Sequence, residues 1–591
     1  MFQEAATDVR RGDYDHAIAA YQRILDADPA NRDALNNLGA LYLLLGRTGV
    51  AIDGLTRLVE KYPGYAAGLC NLADAHRGRG DLKSAIEFYQ RAIEARADFA
   101  KAYLGLAIAL LMSDRPLETI RSCARLLTLE PDHPLGLSLL VFAKMRICEW
   151  QGISGLIDKI KTLVDKGSGE IEPFVFAILP TTCAEQDKCA RQYSRARYGR
   201  AASWRADPAG ILDPARRLTI GYISFDFRQH ATSTLVGGLF ENHDRRNFKV
   251  NAYSYGPDDG SDLRQRIVRS LDSFVDISNL SYAEAASRIR DDKVDVLIDL
   301  MGYTTGGRPQ IAALRPAPIQ VNYLGYPGTM GANFIDYVIA DKIIASSELQ
   351  RFCAEKIVFL PRCWQANDRQ RPDLPETPTR AAEGLPEDAV VFCCFNNPYK
   401  LNARMFDIWL DILQAVPTGV LWLLDDGQFA VRNLRRYAAG RGVDPRRVVS
   451  APLRKHAEHL ARHRLADIFL DTLPVNALTT ASDALWMGLP LITCPGDTPV
   501  SRGASSLLHA VGLSELSCGS LEAYKEMAVR LAQDPERRRD LGRQLLESRL
   551  SSELFDAGGL VRALEAAYRQ MWTLHAGGQP PRSFDVAPAT G

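Results

Sequence analysis

Residues 465–496 read LADIFLDTLPVNALTTASDALWMGLPLITCPG. An apolar run, Ile468 to Leu470, ends in Asp471-Thr472, and a loop carrying Pro474 and Asn476 follows. Thr479 and Thr480 then open a helical pattern that carries Asp483 and stops at Gly488. A second apolar run, Pro490 to Cys494, ends in Pro495-Gly496. Strand, loop, helix and strand in that order make one unit of a parallel sheet. Its polar loop lies at the carboxyl end of a strand, where ligands of open α/β sheets bind. A helix start offers free N–H groups and the positive end of a dipole, which suit a phosphate. The hydroxyls of Thr479 and Thr480 would add donors, and Asp483 could accept from ribose hydroxyls. An ordinary helix cap accounts for the same Thr pair equally well.

The rest of the chain is too long for one core. At 591 residues, three or four domains are expected. It is 46% hydrophobic and 24% charged, which is ordinary for a soluble globular protein. Lys+Arg and Asp+Glu both number 71, so no global field draws nucleic acid or an anionic membrane. The opening, MFQEAATDVRRGDYDHAI, lacks the basic-then-apolar signature of a signal peptide. No apolar run approaches the roughly 20 residues that cross a bilayer. The 11 cysteines are scattered without zinc-ribbon spacing, which points to a reduced, cytoplasmic protein.

The N-terminal third repeats. Gly12, Gly46 and Gly80 are 34 residues apart and the next step lands on Asp114. Pro29, Pro63 and Pro131 keep the step, as do Ala17-Ile18, Ala51-Ile52 and Ala85-Ile86, and Leu38, Leu72 and Leu106. That period, with two amphipathic helices per unit, marks tetratricopeptide repeats. Small residues such as Gly39, Ala73 and Ala107 let paired helices approach, and each unit must stack on its neighbour to bury its apolar face. The pattern places four repeats in about 1–131 and a weaker helix pair beyond, with a repeat domain over 1–145. Asn37 and Asn71 share a repeat position, where stacked amides could hold a peptide backbone or serve as caps.

Residues 146–205 read as a helical connector. From Leu218 short β runs alternate with helical patterns: 218–225, 248–255, 294–300, 319–325 and 336–341. A Pro- and charge-rich passage, 365–386, reads as a linker. A second set follows at 389–396, 419–426 and 447–452, then the stretch quoted above. Two Rossmann-like lobes, 206–380 and 381–577, would enclose a cleft. No GxGxxG opens either lobe and no Walker loop is present, which argues against NAD and against a nucleoside triphosphatase. Residues 578–591 read as a disordered tail.

Several loops carry chemistry. Lys400 follows strand 389–396, where a cation can neutralise the charge that builds on a departing diphosphate. His230 precedes a helix start in the loop after the first strand. With an ordinary pKa near 6.5 it could take a proton from a hydroxyl, or be structural. Leu324-Gly325-Tyr326-Pro327-Gly328-Thr329 is a Gly/Pro turn that would let backbone approach a ligand, or simply turn. His456, His459 and His463 share a helix face, but zinc normally recruits a further ligand and no HExxH is present. His459 and Arg462 therefore read as phosphate or base contacts. Asp258-Asp259-Gly260 reads as a turn.

Taken in order, the repeats, RPAPIQVNYLGYPGTMG (315–331), FNNPYK (395–400), AEHLARHRLADIFLDT (457–472), LTTASDALWMGLPLITCPG (478–496) and SRGASSLL (501–508) resemble the O-linked N-acetylglucosamine transferases. The short repeat array resembles a bacterial member. The resemblance implies an inverting, metal-independent glycosyltransferase of the two-Rossmann-lobe GT-B type, needing no cofactor. It implies UDP-N-acetylglucosamine as donor and protein Ser or Thr hydroxyls as acceptors, with peptide held by the repeats. It puts Lys400 on the diphosphate and Thr479, Thr480 and Asp483 on the diphosphate and ribose. Asn397, Arg454, His456, His459 and Arg462 fall with the donor, Leu324, Gly325 and Pro327 on its sugar side, and His230 at the disputed general base.

The chain departs from the animal loop Cys-Asn-Gly-His-Thr-Thr, reading Val475-Asn476-Ala477-Leu478-Thr479-Thr480. Leu478 replaces the imidazole that stacks on uracil, Val475 the Cys near the acetamido pocket, and His456 a lysine near the base. The diphosphate residues are intact. A branch of the family that transfers fucose from GDP-fucose, a catalytically idle repeat scaffold, and transfer to a glycan or lipid are the competing readings.

Overall fold

The computed structural model describes residues 2–199, 213–425, 427 and 429–588. The chain divides into two compact units, residues 1–144 with 279–287 and residues 145–278 with 288–591.

The first unit is the solenoid that the 34-residue period demands. Helices Phe2–Arg11, Tyr14–Ala27, Arg32–Leu44, Thr48–Lys61, Ala66–Gly78, Leu82–Ala95, Ala100–Met112 and Pro116–Leu129 pack each on the next. Asp13, Asn31 and Asp81 cap three of them, each accepting a backbone N–H from the third residue on. The turn column has a backbone cause. Gly12, Gly46 and Gly80 have φ of 81°, 74° and 80°, and Asp114 takes the same left-handed turn at 58°. The helix contacts explain the small-residue column. A Cβ on Gly39 would come within 2.6 Å of Leu55, and one on Gly105 within 2.2 Å of the Tyr89 ring.

Two further helices, Pro134–Arg146 and Ile153–Asp165, follow, then Pro173–Ala177 and Cys183–Tyr198. The expected boundary between connector and first lobe, at 205/206, lies outside the described residues.

The second unit holds two parallel sheets. The first contains β1 (Leu218–Ser224), β2 (Phe248–Ser254), β3 (Ser273–Asp276), β4 (Val296–Asp299), β5 (Ile319–Asn322), β6 (Tyr337–Asp341) and β7 (Lys356–Leu360). The second contains β8 (Val390–Cys394), β9 (Gly419–Asp425), β10 (Val448–Pro452), β11 (Ile468–Leu470) and β12 (Leu491–Ile492). A thirteenth strand, β13 (Phe584–Asp585), joins the first sheet, whose order is β13-β7-β6-β5-β4-β1-β2-β3; the second runs β10-β9-β8-β11-β12. Every pairing is parallel. Sheets covered on both faces need near-continuous apolar strands, and Val296–Asp299 and Ile319–Asn322 are buried at every position.

Three expectations are corrected. The linker 365–386 is not a loose tether at its start. Trp364 to Asp368 are buried, Gln365 Nε2 donates to Ser482 Oγ at 2.7 Å, and Asp368 pairs with Arg266. These polar side chains are buried because each finds a partner. The tail 578–591 is not disordered throughout, since Phe584↔Val358 and Asp585↔Phe359 extend the first sheet and Val586 is buried. The boundary at 577 does not separate the lobes either. Helix Ala557–Ala576, at the end of the second lobe's sequence, packs on the first sheet. There Tyr568 meets Tyr222 at 3.1 Å, and His243 sits 2.9 Å from both Glu565 and Tyr222.

Candidate active site

In the second lobe, the residues converge on the carboxyl ends of β8 and β11. Lys400 closes the short turn Pro398–Lys400 after β8, and its Nζ donates to the carbonyl of Asn476 at 2.8 Å. Burial pulls its pKa below the usual lysine value, and the nearby Asp471 carboxylate opposes that pull. The ammonium therefore sits at the mouth of the loop between β11 and helix Thr479–Trp486.

That loop is built on Asp471. Its Oδ1 accepts from the N–H groups of Thr472 and Ala477, each at 2.7 Å, and its Oδ2 from Thr493 Oγ1 at 2.6 Å. Behind it Trp409 donates to Tyr524 at 3.1 Å, and Tyr524 donates to the Asp471 carbonyl at 2.9 Å. Burial raises the Asp471 pKa to about 6 against these hydrogen bonds. Asn396 bridges strand and helix, donating to Thr472 Oγ1 at 2.8 Å and accepting from Thr480 Oγ1.

The helix that follows starts without a side-chain cap, because Leu478 stands at that position. Leu478 instead packs on Gly503, where a Cβ would come within 2.2 Å of it. Thr479 and Thr480 are half-buried at this helix start. The half-buried Lys400 ammonium, the Thr479 hydroxyl and the uncapped N–H groups of the helix start form an anion seat, with the Thr480 hydroxyl spent on Asn396.

One turn further, Asp483 is buried and both its oxygens are engaged. Arg371 Nη1 donates to Oδ1 at 2.8 Å, and His456 Nε2 lies 3.4 Å from Oδ2. Burial alone would raise its pKa, but Arg371 and His456 hold it down at about 2. A ribose contact would share this carboxylate with Arg371 and His456.

The histidine face is corrected in part. Arg462 is buried between Phe395 and Trp422, 4.7 and 5.6 Å from their rings. It donates to Pro452 O at 2.6 Å and to His459 Nδ1 at 2.7 Å, so it braces the site from behind rather than opening onto a phosphate. Since a guanidinium only donates, His459 Nδ1 must accept, which leaves its proton on Nε2. Burial, His463 and Arg462 push the His459 pKa down to about 2, so the ring is a neutral N–H donor. His463 is fully buried and donates from Nδ1 to His459 O at 2.7 Å. Among the described residues no three His, Cys, Asp or Glu side chains cluster to hold a metal ion. Asn397 is exposed, and Arg454 is exposed with Glu383 3.7 Å away.

The first lobe presents different groups at its strand ends. His230 starts helix Ala231–Glu241, and its Nδ1 lies 3.3 Å from the N–H of Thr232 and 3.1 Å from Asp226 Oδ2. Burial lowers the His230 pKa against the pull of Asp226, so the ring is neutral near pH 7. Asp299, ending β4, accepts from the N–H groups of Met301 and Gly302 at 2.8 and 3.2 Å. The Gly/Pro turn is a tight one. Leu324 has φ of 70°, and a Cβ on Gly325 would come within 1.9 Å of Leu300 O. Buried Glu355 fastens its far end, accepting from Thr329 Oγ1 at 2.6 Å and Met330 N at 2.8 Å. Leu324 and Pro327 line a cavity of about 70 Å³ beside the turn.

In the repeats, Asn71 is buried and spent within the protein. Its Nδ2 donates to Asn36 Oδ1 at 2.9 Å, and its Oδ1 accepts from Lys101 at 2.7 Å. Asn37 accepts from Asn36 at 3.3 Å. The amide column is thus a bonded ladder rather than a row of free amides.

Sequence reasoning missed Arg371, Asp471, Asn396 and the Asn476 carbonyl. Asp471 alone had a signal, as an acidic residue ending a buried strand.

A repeat array followed by two parallel α/β lobes, with an anion seat at strand ends, defines a repeat-bearing protein of GT-B architecture. The tetratricopeptide repeat model matches 2–66 and 70–134, and the model of glycosyl transferase family 41 matches 206–372 and 365–564. The chain belongs to glycosyl transferase family 41. It is 41% identical over 377 residues to a probable UDP-N-acetylglucosamine–peptide N-acetylglucosaminyltransferase of Arabidopsis thaliana, covering 63% of this chain and 39% of that one. A Caenorhabditis elegans protein named UDP-N-acetylglucosamine–peptide N-acetylglucosaminyltransferase is 28% identical over 559 residues, 73% of this chain and 48% of that one. The chain thus spans less than half the length of these curated relatives. The structure of an O-GlcNAc transferase mutant from Thermobaculum terrenum matches 93% of this chain and 99% of its own, with a TM-score of 0.66 and 29% identity.

Proposed function

We propose that the protein is an inverting, metal-independent glycosyltransferase of the bacterial cytoplasm. It moves N-acetylglucosamine from UDP-N-acetylglucosamine to Ser and Thr hydroxyls of proteins. The names of the relatives support the donor and acceptor classes. The carrying observation is the Lys400 ammonium on the Asn476 carbonyl, at the loop that opens into an uncapped helix.

The acceptor oxygen attacks the anomeric carbon from the face opposite the leaving group. A C–O bond forms as the bond from that carbon to the diphosphate breaks, and its electron pair leaves with UDP. Lys400, the N–H groups of Thr479 and Thr480 and the Thr479 hydroxyl meet that charge, the work a divalent ion would otherwise do. The acceptor proton passes to His230. Asn397, Arg454, His456 and the Nε2–H of His459 serve the nucleotide side, and Leu324, Gly325 and Pro327 the sugar side. The repeats present protein substrate, with Asn37 among the contacts.

Calorimetric titration of UDP and then GDP in EDTA, repeated with Lys400→Ala, tests the reading. UDP binding that disappears in the variant is expected. Preference for GDP would assign the fucose reading, and no binding to either would leave a repeat scaffold.

A further inference from the structure

We propose that Asp226 is the positioning residue for His230, setting the imidazole in the tautomer whose Nε2 can accept the proton of the attacking hydroxyl. This rests on the reading of His230 as general base.

The geometry sets a choice at one nitrogen. His230 Nδ1 has two neighbours with opposite demands: the Asp226 carboxylate at 3.1 Å and the Thr232 N–H at 3.3 Å. A carboxylate only accepts, so bonding it requires Nδ1–H and leaves a lone pair on Nε2. A backbone N–H only donates, so bonding it requires the lone pair on Nδ1 and moves the proton to Nε2. A neutral ring in the second state cannot take a proton at Nε2. The side chain is 39% exposed, and Nε2 is the ring nitrogen left for a ligand. In the structure the Thr232 N–H meets hydrogen-bond geometry at Nδ1 and the Asp226 carboxylate approaches as an ion-pair partner; a proton on Nδ1 would exchange the first for a charge-assisted bond to the carboxylate, the stronger of the two.

Asp226 is built to hold this place. It is 6% exposed, its N–H donates to Ser224 Oγ at 2.9 Å, and its carbonyl accepts from Ser233 Oγ. Arg228 Nη2 lies 3.6 Å from its Oδ1 and favours the ionised form against the burial that raises its pKa. The neighbouring elements bring further charges. Asp259 accepts from Gln229 N at 2.7 Å, and Arg264 donates to Phe227 O at 2.7 Å. Asp299 and Tyr255 lie on adjacent strand exits. Among the described residues none of these bonds the imidazole. In the transfer step the hydroxyl proton goes to Nε2, the oxygen's electrons form the bond to the anomeric carbon, and the leaving diphosphate takes the broken bond's pair. The imidazolium that results stands against the Asp226 carboxylate.

The test combines a pH–rate profile with ¹⁵N NMR of the His230 ring in the full chain. The wild type should show Nδ1–H at neutral pH, and Nε2–H there would overturn the proposal without any variant. Asp226→Asn can donate to Nδ1 and should lower kcat by about 10²- to 10⁴-fold, with donor KM little changed. The acid limb should also move to lower pH, because the carboxylate that raises the imidazole pKa is gone. UDP binding as tight as wild type would show that the variant is folded. Wild-type kcat and an unmoved acid limb in Asp226→Asn would overturn the role of Asp226. Retained kcat in His230→Phe would instead overturn the base reading beneath it.

Discussion

The two sheets carry opposite chemistry at the same edge. At the first sheet's carboxyl ends stand Asp226 and Asp299, whose pKa values burial raises, and His230, whose pKa burial lowers. Burial thus opposes the charged form of all three. At the second sheet's ends stand a lysine, the Thr479 hydroxyl and an uncapped helix, while Asp471 turns its oxygens inward onto Thr472, Ala477 and Thr493. The strand-end loop position is common to both sheets; what differs is which side chains the loops deliver. One edge is suited to handling a proton and the other to receiving negative charge, which is the division the proposed displacement at an anomeric carbon requires.

The largest expected effect breaks the second edge. Lys400→Ala removes the cation and should lower turnover about 10³-fold, roughly 4 kcal/mol of transition-state stabilisation, measured as UDP release with acceptor present. A loss under about tenfold would mean that the seat lies elsewhere and that the contrast between the edges is illusory.

Next comes the pair that stands behind that edge. Arg371 and Asp483 are both about 95% buried, with side-chain exposures of 4% and 5%. Arg371→Met would leave the carboxylate facing only His456, and breaking such a pair costs about 3 kcal/mol. Urea denaturation at pH 7 should show that loss, and Arg371→Met with Asp483→Leu should recover most of it. If the single variant costs less than about 1 kcal/mol, Asp483 is held by something other than this pair.

The two carboxylates of the second edge should also give opposite slopes of stability with pH. Asp483 is held at about 2, below its ordinary 3.8, so the unfolded chain binds the extra proton between these values. Its contribution is present above pH 4 and is lost as pH falls toward 2. Asp471 is raised from 3.8 to about 6, so the folded chain binds the extra proton. Its contribution is present below pH 4 and is lost as pH rises through 6. Each is worth roughly 2–3 kcal/mol. Denaturation at pH 4, 5, 6 and 7 should show a decline that flattens in Asp471→Asn. Parallel curves would mean that the Thr472 and Ala477 N–H groups keep Asp471 ionised throughout.

Period and burial pattern made most of the fold legible. The 34-residue columns hold because each is a geometric necessity: a left-handed turn at Gly12, Gly46, Gly80 and Asp114, and a close helix crossing at Gly39. Buried strands such as Leu218–Ser224 stand out by apolarity alone. β3 and β13 were missed because SFVD and FD are too short to carry a signal. KIVFL of β7 does carry the apolar signal of a buried strand. The site was legible where a residue follows a strand directly, as Lys400 and His230 do. Sequence does not show which polar groups satisfy one another across the fold. Arg371 sits in a stretch that reads as a linker, and Arg462 and Asn71 look like ligand contacts until their donors are traced to Pro452, His459 and Asn36.

The smallest expected effect tests whether the first edge has a second proton-handling group. Asp299 spends Oδ1 on the N–H groups of Met301 and Gly302, and an amide oxygen can accept both. Burial raises its pKa, so whatever ionised fraction it keeps at neutral pH is unfavourable to folding. Asp299→Asn should therefore be neutral to slightly stabilising at pH 7, within about 1 kcal/mol, with kcat little changed. Denaturation and turnover of the same preparation measure both. A kcat loss of about 10²-fold at wild-type stability would make Asp299 a partner in proton transfer. The first edge would then work through two carboxylates, and Asp226 alone would not account for the state of His230.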